Sequence, residues 1–552
     1  MNKIFRNSLL VLAAAALAAS CADYNETDNF RADPDPSIVE PYKDLGPVKS
    51  YLDRSKYPNM SLGATLKVAD FNKQELAHAA AVTNFDDLAF GTTLMSGSII
   101  NAKGVMNFLD MKDLLDHVQE IGGKVFGSPI AANANQADDW LNLLTAPIEV
   151  IVDYVEGKKV DFNTYSLGTY DGTTEKGKAA TIVKYDGMNT LKIEASSNVR
   201  IVEGFDVDPL AKFTITFWCR ADKKATFSVN FSGTPVESSS GGSFSIDAGG
   251  NWKKIVIEAQ SAEGETEGYL RIANTRATAL YVQKVEVGYF PDNHRPQTEK
   301  EITDTINYGM NAWCEGLMKI NEGRITSFDL IDEPLDSKAV LENGMLDIKH
   351  STDKIFWQDI FGSENYAPKV SKAASHYYEE YGGDPAALKF FISETGLEND
   401  LRMESLKYWI DVWDKNGAKI DGINAKVNLT YSENPAKQEA NRASLDNLLA
   451  NLAATGKLIR ISNFDIKYQD ASGGSVTAAN ITTEQRQQLA DYYAYVIKTY
   501  MSTIPHEKQA GICKGNLADT GDPVGLWSVD SKSKDWVRTA TYKAFCDALS
   551  GN

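Results

Sequence analysis

The sequence predicts an α/β protein: a (β/α)8 barrel, the TIM-barrel plan, interrupted by an all-β sandwich domain. Three observations lead there. Strand-like and helix-like segments alternate on both flanks of the chain. The helical signal vanishes between the flanks. Together the flanks supply about eight strand–helix units over roughly 360 residues, the number one barrel needs.

On the first flank, Gly63-Ala64-Thr65-Leu66 reads as a strand, residues 108–121 carry apolar side chains at helical spacing, and residues 123–130 read as a later strand. From 151 to 292 the texture changes. Residues 180–185, 213–218 and 253–257 are rich in β-branched and aromatic side chains and are separated by Gly, Ser, Asn and Asp, the pattern of a β-sandwich. The β/α rhythm then returns, with strands over 324–331, 388–394, 420–427, 458–465 and 511–513 and a helix over 366–381. The expected organisation is a leader over 1–20, an acidic tether over 21–46, barrel over 47–150, the β insert over 151–292 and barrel again over 293–552. The insert follows the third strand unit. That connection lies on the C-terminal face of a barrel, where ligand sites are built, so position alone expects the insert beside the cleft.

The leader and the composition narrow the function. Lys3 and Arg6 precede an apolar run from Leu9 to Ala19 that is too short for a permanent span. Ala18, Ala19 and Ser20 then lead into Cys21, which resembles a bacterial lipoprotein signal with Cys21 as the lipidated residue. The usual leucine three residues before the cysteine is Ala18 here. The alternative is an ordinary cleaved signal followed by a chance cysteine. With 75 acidic against 56 basic residues, a net charge of −19, the chain lacks the basic surface that nucleic acid or anionic lipid requires. Six histidines and scattered Cys219, Cys314, Cys513 and Cys546 show no metal-ligand spacing, so no metal and no cofactor are expected. Sparse core thiols are the expectation, with one disulfide left open.

The order of motifs on the second flank resembles glycoside hydrolase family 10, the retaining endo-β-1,4-xylanases. Phe328-Asp329-Leu330-Ile331-Asp332-Glu333 stands where the family has Trp-Asp-x-x-Asn-Glu. Phe356-Trp357, Asp384-Pro385, Ser393-Glu394-Thr395-Gly396, Ile420-Asp421-Gly422-Ile423, Thr455-Gly456 and Ile461-Ser462-Asn463-Phe464-Asp465 follow in the family's order, and Ala540-Thr541-Tyr542-Lys543-Ala544 resembles its closing helix. The first flank is less specific: Gly104-Val105-Met106-Asn107-Phe108 resembles a Gly-x-Phe-x-Phe stretch, and Gln136 and Trp140 have the spacing of Gln-x-Pro-x-Trp.

The resemblance implies an acid/base at Glu333 and a nucleophile at the position of Asn463. A retaining glycosidase needs two carboxyl groups about 5–5.5 Å apart, and an amide supplies neither the nucleophile nor the negative charge. Neighbouring motifs depart as well. The family's Gly-His-x-Leu-x-Trp-His reads Gly127-Ser128-Pro129-Ile130-Ala131-Ala132-Asn133, its Gln-x-His reads Lys426-Val427-Asn428, and its Trp-Gly reads Lys514-Gly515. Glu333 is therefore either a retained ligand-binding or buried carboxylate, or half of a new pair with Glu394 or Asp332 as surrogate. Asp465 is retained, with a structural role implied.

The insert resembles β-sandwich carbohydrate-binding modules, whose aromatic faces stack on sugar rings. Its candidates are Tyr165, Tyr170, Trp252 and Tyr269, with Trp218 expected in the core; for each, a core position competes with a platform. Trp140, Asn428 and Lys514 are the barrel's candidates for sugar contact. The expectation is a lipid-anchored, cell-surface protein of the outer membrane that binds a xylan-like β-glycan on a barrel with a degraded active site, beside other outer-membrane glycan-uptake proteins. The alternative is an active endo-β-1,4-xylanase or repurposed glycosidase.

Overall fold

The computed structural model describes residues 41–207, 211–291 and 293–551. The leader, Cys21 and most of the acidic tether lie outside the described residues. The chain divides into two compact units, one running to Thr145 and resuming at Glu299, the other comprising Ala146–Thr298.

The first unit is a (β/α)8 barrel. Its strands are β1 (Ser61–Thr65), β2 (Asp87–Ala89), β3 in two short pieces (Lys124–Val125 and Ala131–Ala132), β4 (Ser327–Asp332), β5 (Lys389–Thr395), β6 (Gly422–Lys426), β7 (Leu458–Ser462) and β8 (Gln509–Lys514). All neighbours pair in parallel, and the ring closes because the first piece of β3 pairs with β2 and the second with β4. The expected single strand over 123–130 is thus broken. At the break Gly127 lies against the Phe328 ring, where a Cβ would come within 2.1 Å of the ring edge. The helix after each strand is, in order, α1 (Leu76–Asn84), α2 (Leu109–Glu120), α3 (Glu299–Asn321), α4 (Tyr366–Glu380), α5 (Asp400–Lys415), α6 (Pro435–Ala454), α7 (Thr483–Thr503) and α8 (Ala540–Ser550).

Local sequence accounts for these helices. In α3 Ile306, Met310, Trp313, Cys314, Leu317 and Met318 recur at three- and four-residue spacing and are all buried. Asn434 caps α6 with Pro435 in its first turn, and Thr482 with Gln485 forms a capping box on α7. In chain order the second unit lies between β3 and α3.

The barrel interior is not wholly apolar. Arg460 on β7 donates to both oxygens of Asp87 on β2, at 3.1 and 2.8 Å, and its guanidinium lies 4.1 Å from the Phe126 ring centre. Both are buried. Gly63 on β1 makes room, because a Cβ there would stand 2.5 Å from Asp87 Oδ1 and 2.6 Å from Arg460 Nη2. The four described cysteines are buried free thiols.

The second unit is all β: two main antiparallel sheets around a core of its own, with a short ladder of Ile148–Glu149 on His294–Arg295 where the chain enters and leaves. One sheet runs Lys253–Ala259, Lys212–Arg220, Leu280–Phe290, Met188–Ile193, Thr181–Tyr185 and Gly168–Thr169, with Val155–Asp161 also on Leu280–Phe290. The other runs Thr234–Val236, Ala225–Phe231, Glu267–Asn274, Asn198–Asp206 and Thr174–Lys176. Strand alternation corrects one expectation. Phe213, Ile215, Phe217 and Cys219 fill the core, so Trp218 points outward, where Lys284 Nζ lies 4.0 Å from its ring centre.

Candidate functional site

The ends of the barrel strands enclose a cleft of about 360 Å³. Thr65 of β1, Ala89 of β2, Phe126 and Ser128 at the break in β3, Asp329, Asp332 and Glu333 of β4, Asn424 and Lys426 of β6, Arg460, Ser462 and Asn463 of β7 and Cys513 of β8 all line it. The closed parallel sheet brings these residues together, although hundreds of residues separate them in sequence.

Glu333 and Asn463 thus share one cleft, and both have left-handed backbone, with φ of +43° and +54°. Non-glycine residues rarely adopt that conformation, at a cost of order 1 kcal/mol, and it concentrates at functional sites. It is held at Glu333 by the backbone N–H bonding to the Ser393 carbonyl at 2.8 Å.

The cleft's three carboxylates, Asp329, Asp332 and Glu333, all come from β4 and its end. Lys426 Nζ bonds to Asp332 and lies 3.1 Å from Glu333 Oε1, while Lys349 Nζ lies 3.8 Å from Glu333 Oε2. Asp332 also accepts from Ser393 Oγ at 2.6 Å. Burial opposes the charge on Lys426, but Asp332, Glu333 and Asp329 outweigh it and hold its pKa above the ordinary lysine value. Asp329 lies deeper and accepts from Asn424 Nδ2 at 3.1 and 3.0 Å; burial, aided by Asp332, pushes it up to about 7. Asp329, Lys426, Lys349 and Arg460 were not singled out as site residues from sequence. For Lys426 the signal was present, since it replaces a glutamine of the family motif.

Several sequence candidates are corrected by burial. Glu394 is fully buried on β5, with Oε1 taken by Arg402 Nη2 at 2.7 Å and the Thr395 N–H at 2.9 Å and Oε2 by the Leu335 N–H at 3.1 Å. Its oxygens anchor chain segments, so it is no surrogate carboxylate. Lys514 is fully buried and bonds Asp465, which also accepts from the Asn516 N–H at 3.0 Å, so it does not meet a sugar. Trp140 belongs to the barrel core against Gly104 and Gly309. Asn428 is exposed past β6 and is not among the cleft-lining residues.

In the β unit Tyr170 is a core residue whose hydroxyl donates to the Ile201 carbonyl at 3.2 Å. Tyr165 stays 36% exposed, resting against Phe162 and Tyr170. Trp252 is half-buried and perpendicular to the Tyr185 ring, and Tyr269 carries the Arg200 guanidinium 3.9 Å from its ring centre. Among the described residues no group of three or more His, Cys, Asp or Glu is placed to hold a metal ion.

Comparison with known proteins agrees with the barrel fold. Residues 290–521 match the family model described as glycosyl hydrolase family 10. Among solved structures, the chain is similar to xylanase B from Clostridium stercorarium F9, at TM-score 0.51 and 10% identity over 91% of this chain and 100% of that one. It is similar to a GH10 endoxylanase retrieved from a sugarcane soil metagenome, at TM-score 0.51 and 10% identity over 91% and 99%. Native CbXyn10B gives TM-score 0.50 and 11% identity over 90% and 98%. No curated protein matches the chain in sequence. The class is therefore that of the (β/α)8 barrels. More particularly, the barrel has the fold of the family 10 xylanases, and residues 290–521 carry the glycosyl hydrolase family 10 match.

Proposed function

We propose that this protein binds a xylan-like β-linked polysaccharide on a family 10 barrel whose hydrolytic machinery has been lost. One observation carries the reading: Glu333 shares its cleft with Asn463 rather than with a second carboxylate from β7, and Lys426 bonds the oxygen a general acid would use to carry its proton. Inverting hydrolysis also needs two separated carboxylates, about 6.5–9.5 Å apart. The remaining cleft acids share one strand, and Asp332 is tied to Lys426. Hydroxyls and carboxylates that no longer cleave still accept and donate to sugar hydroxyls, so loss of turnover does not imply loss of binding.

In this reading the β unit is a carbohydrate-binding module, with Tyr165 its most accessible candidate platform and Trp252 and Tyr269 beside polar neighbours. Cys21 anchors the protein by lipid to the outer membrane, displayed on the cell surface among other glycan-uptake proteins.

The test measures the mature protein against a panel of polysaccharides, with calorimetry for binding and reducing-end release for hydrolysis. Binding without release is expected. Release that disappears in Glu333→Gln would establish the alternative, a living glycosidase, and would overturn the inert-barrel reading.

A further inference from the structure

A second constellation of reactive side chains stands in the connection from β4 to α4, outside the cleft lining. Ser363 Oγ lies 3.4 Å from His350 Nε2, and His350 Nδ1 lies 2.5 Å from Asp359 Oδ1. Asp359 Oδ2 accepts from the Ser351 N–H at 3.2 Å, which orients the carboxylate toward the ring. A carboxylate on Nδ1 selects the tautomer that carries its proton there, leaving the Nε2 lone pair for the serine hydroxyl. We propose that Ser363, His350 and Asp359 form a second centre that hydrolyses carboxylic esters.

The local fold supports the assignment. Ser363 follows Gly362, whose φ of +83° turns the chain sharply between the short helix Trp357–Phe361 and α4. That turn is pinned from α5, where Trp413 Nε1 donates to the Ser363 carbonyl at 2.9 Å, and from its end, where Asn416 Nδ2 donates to the Glu364 carbonyl at 3.1 Å. The backbone N–H groups of Ser363 and Glu364 bond no protein acceptor among the described residues, so both are free to donate to a developing oxyanion. The His350 side chain is 43% exposed, so the imidazole is open to solvent. The Ser–His separation exceeds the closest hydrogen-bond range, as is common before substrate tightens such a pair.

The chemistry balances with water as the only co-reactant. Ser363 Oγ bonds to the ester carbonyl carbon as its proton passes to His350 Nε2. The carbon–oxygen bond to the alcohol then breaks, and the same proton leaves with the alcohol. Water attacks the acyl-serine, gives its proton to His350, and the carboxylic acid departs as the proton returns to Ser363. Asp347 Oδ2, 3.8 Å from Nε2, adds negative charge that stabilises the transient imidazolium. The substrate class is a carboxylic ester. This goes beyond the glycan reading and does not rest on it.

The experiment uses the intact protein with a fluorophosphonate probe, peptide mass mapping of the adduct, and p-nitrophenyl acetate turnover. The expected result is an adduct on Ser363, with ester turnover about a hundredfold lower in Ser363→Ala and His350→Asn, each checked for wild-type melting. Absence of an adduct on Ser363 in folded protein overturns the proposal. So does turnover in Ser363→Ala equal to wild type, because free imidazoles and amines would then be the source.

Discussion

Lys426, the last residue of β6, places its ammonium 3.1 Å from Glu333 Oε1 at the end of β4. This contact engages the carboxylate that the resemblance to family 10 puts at the acid/base position, and it ties a second carboxylate, Asp332, into the same cluster. In the proposed reading, the amide at Asn463 and the lysine beside Glu333 together alter both positions of the family's carboxylate pair.

Restoring one carboxylate should therefore not restore hydrolysis. Asn463→Glu alone is expected to release reducing ends from xylan within about twofold of wild type, whereas Asn463→Glu with Lys426→Gln should rise at least about tenfold above the single variant. Substantial turnover by Asn463→Glu alone would show that Lys426 is no obstacle.

The Asp87–Arg460 pair is a stability feature of the barrel interior. Removing one partner strands the other charge, so Asp87→Ala should lower unfolding free energy by about 3–5 kcal/mol, read from urea denaturation. Gly63→Ala should also destabilise, since its methyl would enter the space held by that pair.

Asp329 gives a pH signature. Its folded pKa, pushed up to about 7 by burial and by Asp332, exceeds the ordinary carboxylate value of 3.8, so the native state binds the proton more tightly than the unfolded chain. Its contribution is fully present below the unfolded value and is lost as pH rises through about 7. Asp329→Asn should flatten the fall in stability between about pH 4 and 7, measured as melting temperature against pH. An unchanged slope would place the proton elsewhere.

His78 acts in the opposite direction. It is buried between Phe71 and His117, and burial, then His117, lowers its pKa. The neutral ring is favoured by folding, so its contribution is present above the ordinary histidine value and lost as pH falls through the folded one. Acid unfolding of His78→Gln should begin at lower pH than that of wild type.

The β unit has its own core, so residues 146–298 expressed alone should fold cooperatively and be retarded on a polysaccharide gel. Tyr165→Ala should weaken retardation without loss of stability, whereas Tyr170→Ala should lower stability by about 3–5 kcal/mol as a large aromatic removed from the core. Equal retardation of wild type and Tyr165→Ala would remove Tyr165 from the binding face.

The sequence makes the barrel and the β interruption legible, and points to Glu333 and Asn463, because each is written locally: in periodicity of 3.6 or 2, in turn residues and in short ordered motifs. It did not determine which polar side chains are free to act. Glu394, Lys514, Trp140 and Tyr170 carry the chemistry of binding residues, yet their functional groups or rings are consumed by Arg402, Asp465, Gly104 with Gly309, and the Ile201 carbonyl. Conversely, Lys426 and Asp329 come together only because the closed sheet sets β4, β5 and β6 side by side in that order, with Asn424 reaching Asp329 from β6. Burial and long-range pairing arise from contacts between segments far apart in the chain, and no local pattern encodes them. They decide whether a carboxylate anchors the backbone, pairs with a lysine or meets a ligand.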